Sequence, residues 1–166
     1  MIKYADIRTA MVSGLWEHMD IPIILANHNA PKPDYPFGRY TFTTPQQGFY
    51  PRSGFYSVEE EGEMLDYKRQ DEGRMVLSLT FCSDDSTEAH EKALEAAAWF
   101  AWKGYFYLKE KGIIVVRVEA MTNRDTLIVD DYERRIGFDV QLRVDSSSTK
   151  EIESIEQAEV SKKESD

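Results

Sequence analysis

Apolar positions along the chain change their period several times, and each change marks an element. Between residues 4 and 19, Ile7, Met11, Leu15 and Met19 recur every four positions, with Ala10 and Trp16 widening the stripe. That spacing predicts an amphipathic helix. Asp6 is a suitable N-cap, and Asp20 followed by Ile21-Pro22 marks the stop. Ile23-Ile24-Leu25-Ala26 reads as a short buried strand. Gly38 to Thr44 reads as a second, with Tyr40 and Phe42 alternating against Arg39, Thr41 and Thr43. Residues 58–70 and 73–83 read as paired strands that turn at Asp71-Glu72-Gly73, where glycine accepts a positive φ. Met75, Leu77, Leu79 and Phe81 share one face of the second, and Glu59-Glu60-Glu61 marks an edge guarded by charge.

A long central helix is predicted from Ser86 to about Lys111. Asp85 and Glu88 have capping-box spacing at its start, and Gly112 stands as its C′ stop. Ala89, Ala93, Ala96, Ala97, Phe100, Gly104, Tyr107 and Leu108 make a core stripe, yet Leu94, Ala98, Ala101, Trp102 and Tyr105 cover much of the remainder. A helix apolar on nearly every side must be covered on every side, either by its own loops or by other copies of the chain. Ile113 to Val118, Thr126 to Val129 and Arg135 to Val144 complete the strands, the last alternating strictly. The fold class expected is α+β: a mixed, largely antiparallel sheet packed with an N-terminal helix and one long central helix. Residues 1–145 form the domain. From Ser146 the composition collapses to Ser, Glu, Lys and Asp, so 146–166 is expected to be a disordered acidic C-terminal tail.

Two connectors stand out. Asn27 to Phe37 carries Pro31, Pro33 and Pro36, which keep it out of helix and sheet interiors and favour a stiff, extended path. It is either an ordinary rigid loop over the sheet edge or a preformed contact arm. Residues 45–57 form a long Gly/Pro loop with Phe49, Tyr50, Phe55 and Tyr56. Loops beyond about 12 residues in compact domains are usually functional or disordered, and disordered linkers are poor in aromatics. These side chains suit an interface, unless they fold back onto their own domain.

Charge and chemistry narrow the field. Of 166 residues, 20 are Lys or Arg and 30 Asp or Glu, a formal net charge of -10 that opposes gripping a nucleic-acid backbone. It permits a protein past which DNA slides. Cys82 is the single cysteine, so an intrachain disulfide is excluded. The first residues hold no long apolar run, which predicts no signal peptide, and no 18-residue apolar stretch predicts a membrane span. His18, His28 and His90 show no metal-ligand spacing, Asp84-Asp85 and Asp130-Asp131 sit at turns, and no nucleotide, hydrolase or metalloprotease motif occurs. No enzyme activity and no cofactor or metal are expected.

Four segments carry a resemblance. Ile7-Arg8-Thr9-Ala10-Met11-Val12-Ser13-Gly14-Leu15 is followed by Ile21-Pro22-Ile23-Ile24 and the connector from Asn27 to Phe37; Tyr132-Glu133-Arg134-Arg135-Ile136-Gly137-Phe138-Asp139-Val140 closes the set. Over roughly residues 5–145, in matching order, the chain resembles the neck, or tail, terminator proteins of tailed bacteriophages and related prophage elements. It departs from the pattern at Arg135, where an aromatic is more usual. The resemblance implies a virion protein assembled in the host cytoplasm as a homo-oligomer, typically a six-fold ring, at the head-proximal end of the tail tube. Its partners would be the tail tube protein and a head-completion or neck protein, with DNA passing the lumen unbound and no membrane involved. Interface residues expected are His28, Asn29, Lys32, Tyr35 and Phe37 on the connector, Phe49, Tyr50, Phe55 and Tyr56 on the loop, and Trp99, Trp102 and Tyr105 on the helix. A head–tail stopper or other neck component, or a cytoplasmic small-ligand binding module with the aromatic loop as a lid, are the alternatives.

Overall fold

The computed structural model describes residues 3–47, 55–61 and 64–153. In chain order its elements are α1 (Tyr4–Met19), β1 (Ile23–Leu25), β2 (Phe37–Gln47), β3 (Phe55–Glu61) and β4 (Met64–Ser83). Then follow α2 (Ser86–Ala101), α3 (Lys103–Lys109), β5 (Ile113–Val118), β6 (Thr122–Asn123), β7 (Thr126–Ile128) and β8 (Asp131–Glu153). The class is α+β, with a mixed sheet ordered β1-β2-β4-β8-β5. Among the described residues only β1 and β2 run parallel; β4 and β8 pair antiparallel from Met64↔Glu153 to Ser83↔Arg134.

One face of the sheet holds the main core. Met75, Leu77, Leu79 and Phe81 of β4 lie beside Ile136, Phe138, Val140 and Leu142 of β8, all buried beneath the helices. Ala89, Ala93, Ala96 and Phe100 of α2 face them, the alanines letting the helix backbone come close. α1 buries the expected stripe of Ile7, Ala10, Met11, Leu15 and Met19, and Trp16 stays outside. Burying each of the large side chains contributes about 1.5–3 kcal/mol. Asp85 caps α2, accepting from the Glu88 amide at 2.9 Å, as its spacing foretold. α1 differs at its start: Lys3 is the N-cap, and Asp6 sits inside the first turn near the positive end of the helix dipole.

Several expectations are corrected. No turn occurs at Asp71-Glu72-Gly73: β4 runs straight through, paired to Ser146, Asp145 and Val144 of β8. Gly73 has no positive φ, because a full partner strand overrides its local turn preference. Strand β3 lies on β4 instead, from Phe55↔Gln70 to Glu61↔Met64, with its glutamates on the outer strand as expected of an edge. β2 continues through Pro45 to Gln47, which shortens the expected loop, and residues 48–54 lie outside the described residues. The long helix is broken at Trp102 (φ -134°, ψ -86°). Just past the break Gly104 lies against the Trp99 ring, where a Cβ would sit 2.5 Å from ring carbons. Gly112 ends the helical stretch with φ 74°, as predicted. The expected boundary at 145 falls within β8, whose strand continues to Glu153, and residues 154–166 lie outside the described residues.

Candidate assembly surface

The connector after β1 lies over the sheet face opposite the helices. Phe37 pairs with Cys82 and Cys82 with Arg135, so their side chains share that face. Both Phe37 and Cys82 are buried, forming a small second core. Tyr35 stacks on Phe37 at 5.7 Å, and the Lys32 ammonium lies 4.0 Å from the Tyr35 ring centre. Burial pushes the Cys82 thiol up to about 11, which leaves it unreactive.

Glu133 is the fastening point. It is 3% exposed at the end of this second core. Tyr35 donates its hydroxyl to Glu133 Oε2 at 2.6 Å, Lys32 Nζ reaches the same oxygen at 2.5 Å, and Arg135 Nε meets Oε1 at 2.5 Å. Arg135 also donates to Thr126 Oγ1 at 2.7 Å. Burial alone would raise the Glu133 carboxyl, but hydrogen bonds from Lys32, Tyr35 and Arg135 outweigh it and hold it at about 2. The same hydrogen bond to Glu133 overcomes burial at Lys32 and raises its ammonium. Arg135, the departure from the aromatic expected there, thus supplies the charge that makes a buried carboxylate tolerable. Farther along this face Arg124 donates to Ser78 Oγ and Thr80 Oγ1, both at 2.9 Å, and to Asp139 at 3.0 Å. Gly137 leaves room for it: a Cβ there would come within 2.6 Å of the guanidinium.

The residues expected at an interface separate into groups. Phe37 and Trp99 are inside the chain's own cores and offer no outer surface. Lys32 and Tyr35 are tied to Glu133, and His28 accepts from the Ala30 amide at 2.9 Å, so these shape the connector from within. Asn29 is exposed on it. Phe55 and Tyr56 begin β3, paired to Gln70 and Arg69. Phe49 and Tyr50 lie outside the described residues. Trp102 stands in solvent at 68% exposure, edge to face with Phe106 at 5.4 Å, and Tyr105 is half-buried beside them.

Sequence reasoning missed Phe106, although its i,i+4 spacing from Trp102 puts the two side by side on a helix. It also missed the β7–β8 hairpin. Leu127, Ile128, Val129 and Tyr132 are all exposed there, around the exposed Asp130 and Asp131. Reading Thr126 to Val129 as a strand concealed a signal: consecutive apolar residues beside an acidic turn cannot all face a core. Beside the hairpin a solvent-open groove of about 210 Å³ is lined by Leu25, Phe37, Arg39, Ile128 and Arg135, among others. Among the described residues no group of three or more His, Cys, Asp or Glu converges on a metal position, and no helix is long and apolar enough to cross a membrane. The sequence model of a family described as phage neck terminator protein matches residues 9–166. No curated protein was found to match the chain.

Proposed function

The chain belongs to the phage neck terminator protein family and is thereby a structural protein of the phage neck and tail, and from that premise we propose that its copies close into a ring on the head-proximal end of the tail tube. The ring, six-fold in this reading, ends tube polymerisation and turns its other face to a head-completion or neck protein. The observation that carries the reading is the exposure of Trp102 at the helix break and Phe106 on α3 together with Leu127, Val129 and Tyr132 on the hairpin. Apolar surface in water costs about 25 cal/mol per Å², and contiguous patches of it mark interaction sites. Two such patches on different elements suit head-to-tail contacts, which make rings when the rotation closes.

Two further features support the role. The connector clamped by Glu133 and the paired β3, β4 and β8 strands hold their shapes without a partner, so docking orders little. The formal net charge of -10 keeps DNA from adhering as it passes, if the lumen carries the acids. The groove beside the hairpin is open rather than enclosed, which favours assembly over a small-ligand module. Native mass and negative-stain imaging of the purified chain, alone and with tail tube protein, test the reading. Rings that cap tube ends and halt tube growth are expected. A chain that stays monomeric and leaves tubes growing would refute it.

A further inference from the structure

Two apolar surfaces on this chain carry a net opposite charge at their rims, basic at one and acidic at the other, and the fold holds them apart. At the break before α3 and on α3, Trp102 and Phe106 stand exposed, flanked by the exposed Lys103 and Lys109 against a single exposed carboxylate, Glu110. At the hairpin, Leu127, Ile128, Val129 and Tyr132 surround the exposed Asp130 and Asp131, and the nearby Arg134, stacked over Tyr132, is already paired with Asp125 at 3.2 Å. Val129 holds φ 57°, the left-handed region that β-branched side chains avoid, while 87% exposed. Glycine would fold there with less strain and would lose only an apolar side chain. What Val129 supplies is therefore surface for something outside its own chain.

Its own α3 is out of reach. α3 packs on β5, which pairs with β8 between Val140 and Val144, whereas the hairpin tip precedes β8 at Asp131. The nine residue steps from Asp131 to Val140 span about 30 Å of strand. The geometry points to a contact between two copies, in which the hairpin tip of one sets Leu127 and Val129 against Trp102 and Phe106 of the next, with Asp130 and Asp131 meeting Lys103 and Lys109. This rests on the ring reading above and assigns the surfaces that make the ring. Each copy keeps one tip and one patch free, so the contact repeats until the ring closes.

Because the two halves differ, the contact can be broken from either side. Val129→Asp spoils the tip and Trp102→Glu spoils the patch, both at solvent-exposed positions. Each variant alone should need a roughly thirtyfold higher concentration to assemble, the scale of an interface hot spot. Mixed, they should form one-to-one dimers by native mass and nothing larger, since the remaining ends are both spoiled. Asp130→Lys with Asp131→Lys should weaken assembly, and adding Lys103→Glu with Lys109→Glu should restore it without touching Trp102. Rings that survive either apolar substitution, or a mixture that stays monomeric, would overturn this contact and leave the ring reading standing. A wild-type chain that never assembles, even with tube protein, would remove both.

Discussion

The connector between β1 and β2 and the β7–β8 hairpin meet at the Glu133 end of the sheet, and both are rich in side chains that water solvates poorly. In the connector, Phe37 is buried, Tyr35 stacks on it, and Lys32 and Tyr35 converge on a shared carboxylate. In the hairpin, Leu127, Val129 and Tyr132 face solvent, and Val129 is strained besides. Aromatic and proline-rich composition is thus a poor guide to which side chains are left facing solvent. The segment that looked most like a contact arm satisfies its own polar and apolar groups, and the less conspicuous hairpin leaves its groups unsatisfied.

The contrast can be broken most severely at its fastening point. Glu133→Ala leaves Arg135 and Lys32 without their carboxylate at the edge of a buried core, and loss of about 3–5 kcal/mol is expected in urea unfolding. Acid should attack the same point. The Glu133 carboxyl is held at about 2, below its ordinary 4.5. Its contribution is therefore complete above pH 4.5 and disappears as the pH falls toward 2, about 3 kcal/mol in all. Melting curves of wild type and Glu133→Gln should converge over that range; a gap unchanged down to pH 2 would refute the clamp.

Smaller changes sharpen the comparison. Tyr35→Phe removes one donor to Glu133 and keeps the stack on Phe37, so a cost of about 1–2 kcal/mol is expected, with the connector still ordered by amide exchange. The hairpin should respond in the opposite direction. Val129→Gly relieves the left-handed strain and should stabilise the isolated chain by about 1 kcal/mol, read as a raised melting temperature. The same substitution should weaken assembly. A hairpin whose glycine variant melts earlier and assembles normally would mean that Val129 serves its own fold.

Much of the architecture was legible because its signals are local. The four-residue recurrence through Ile7, Met11, Leu15 and Met19 defines the buried face of α1, and Asp85 reaches the Glu88 amide within one helical turn. Alternation in Met75 to Phe81 and Ile136 to Leu142 marks the core face of β4 and β8 because side chains of a strand alternate whatever its partner. Other features depend on partners distant in sequence. The turn expected at Asp71 to Gly73 gave way because β8 supplies a pairing residue opposite each position, and the helix breaks at Trp102 where Gly104 packs against the Trp99 ring. Tyr35 and Glu133 are 98 residues apart, so no window of sequence joins them. Periods and caps are properties of a short stretch of backbone and are written in it. Which side chains end up paired, strained or left in water is settled only when distant segments compete for the same space.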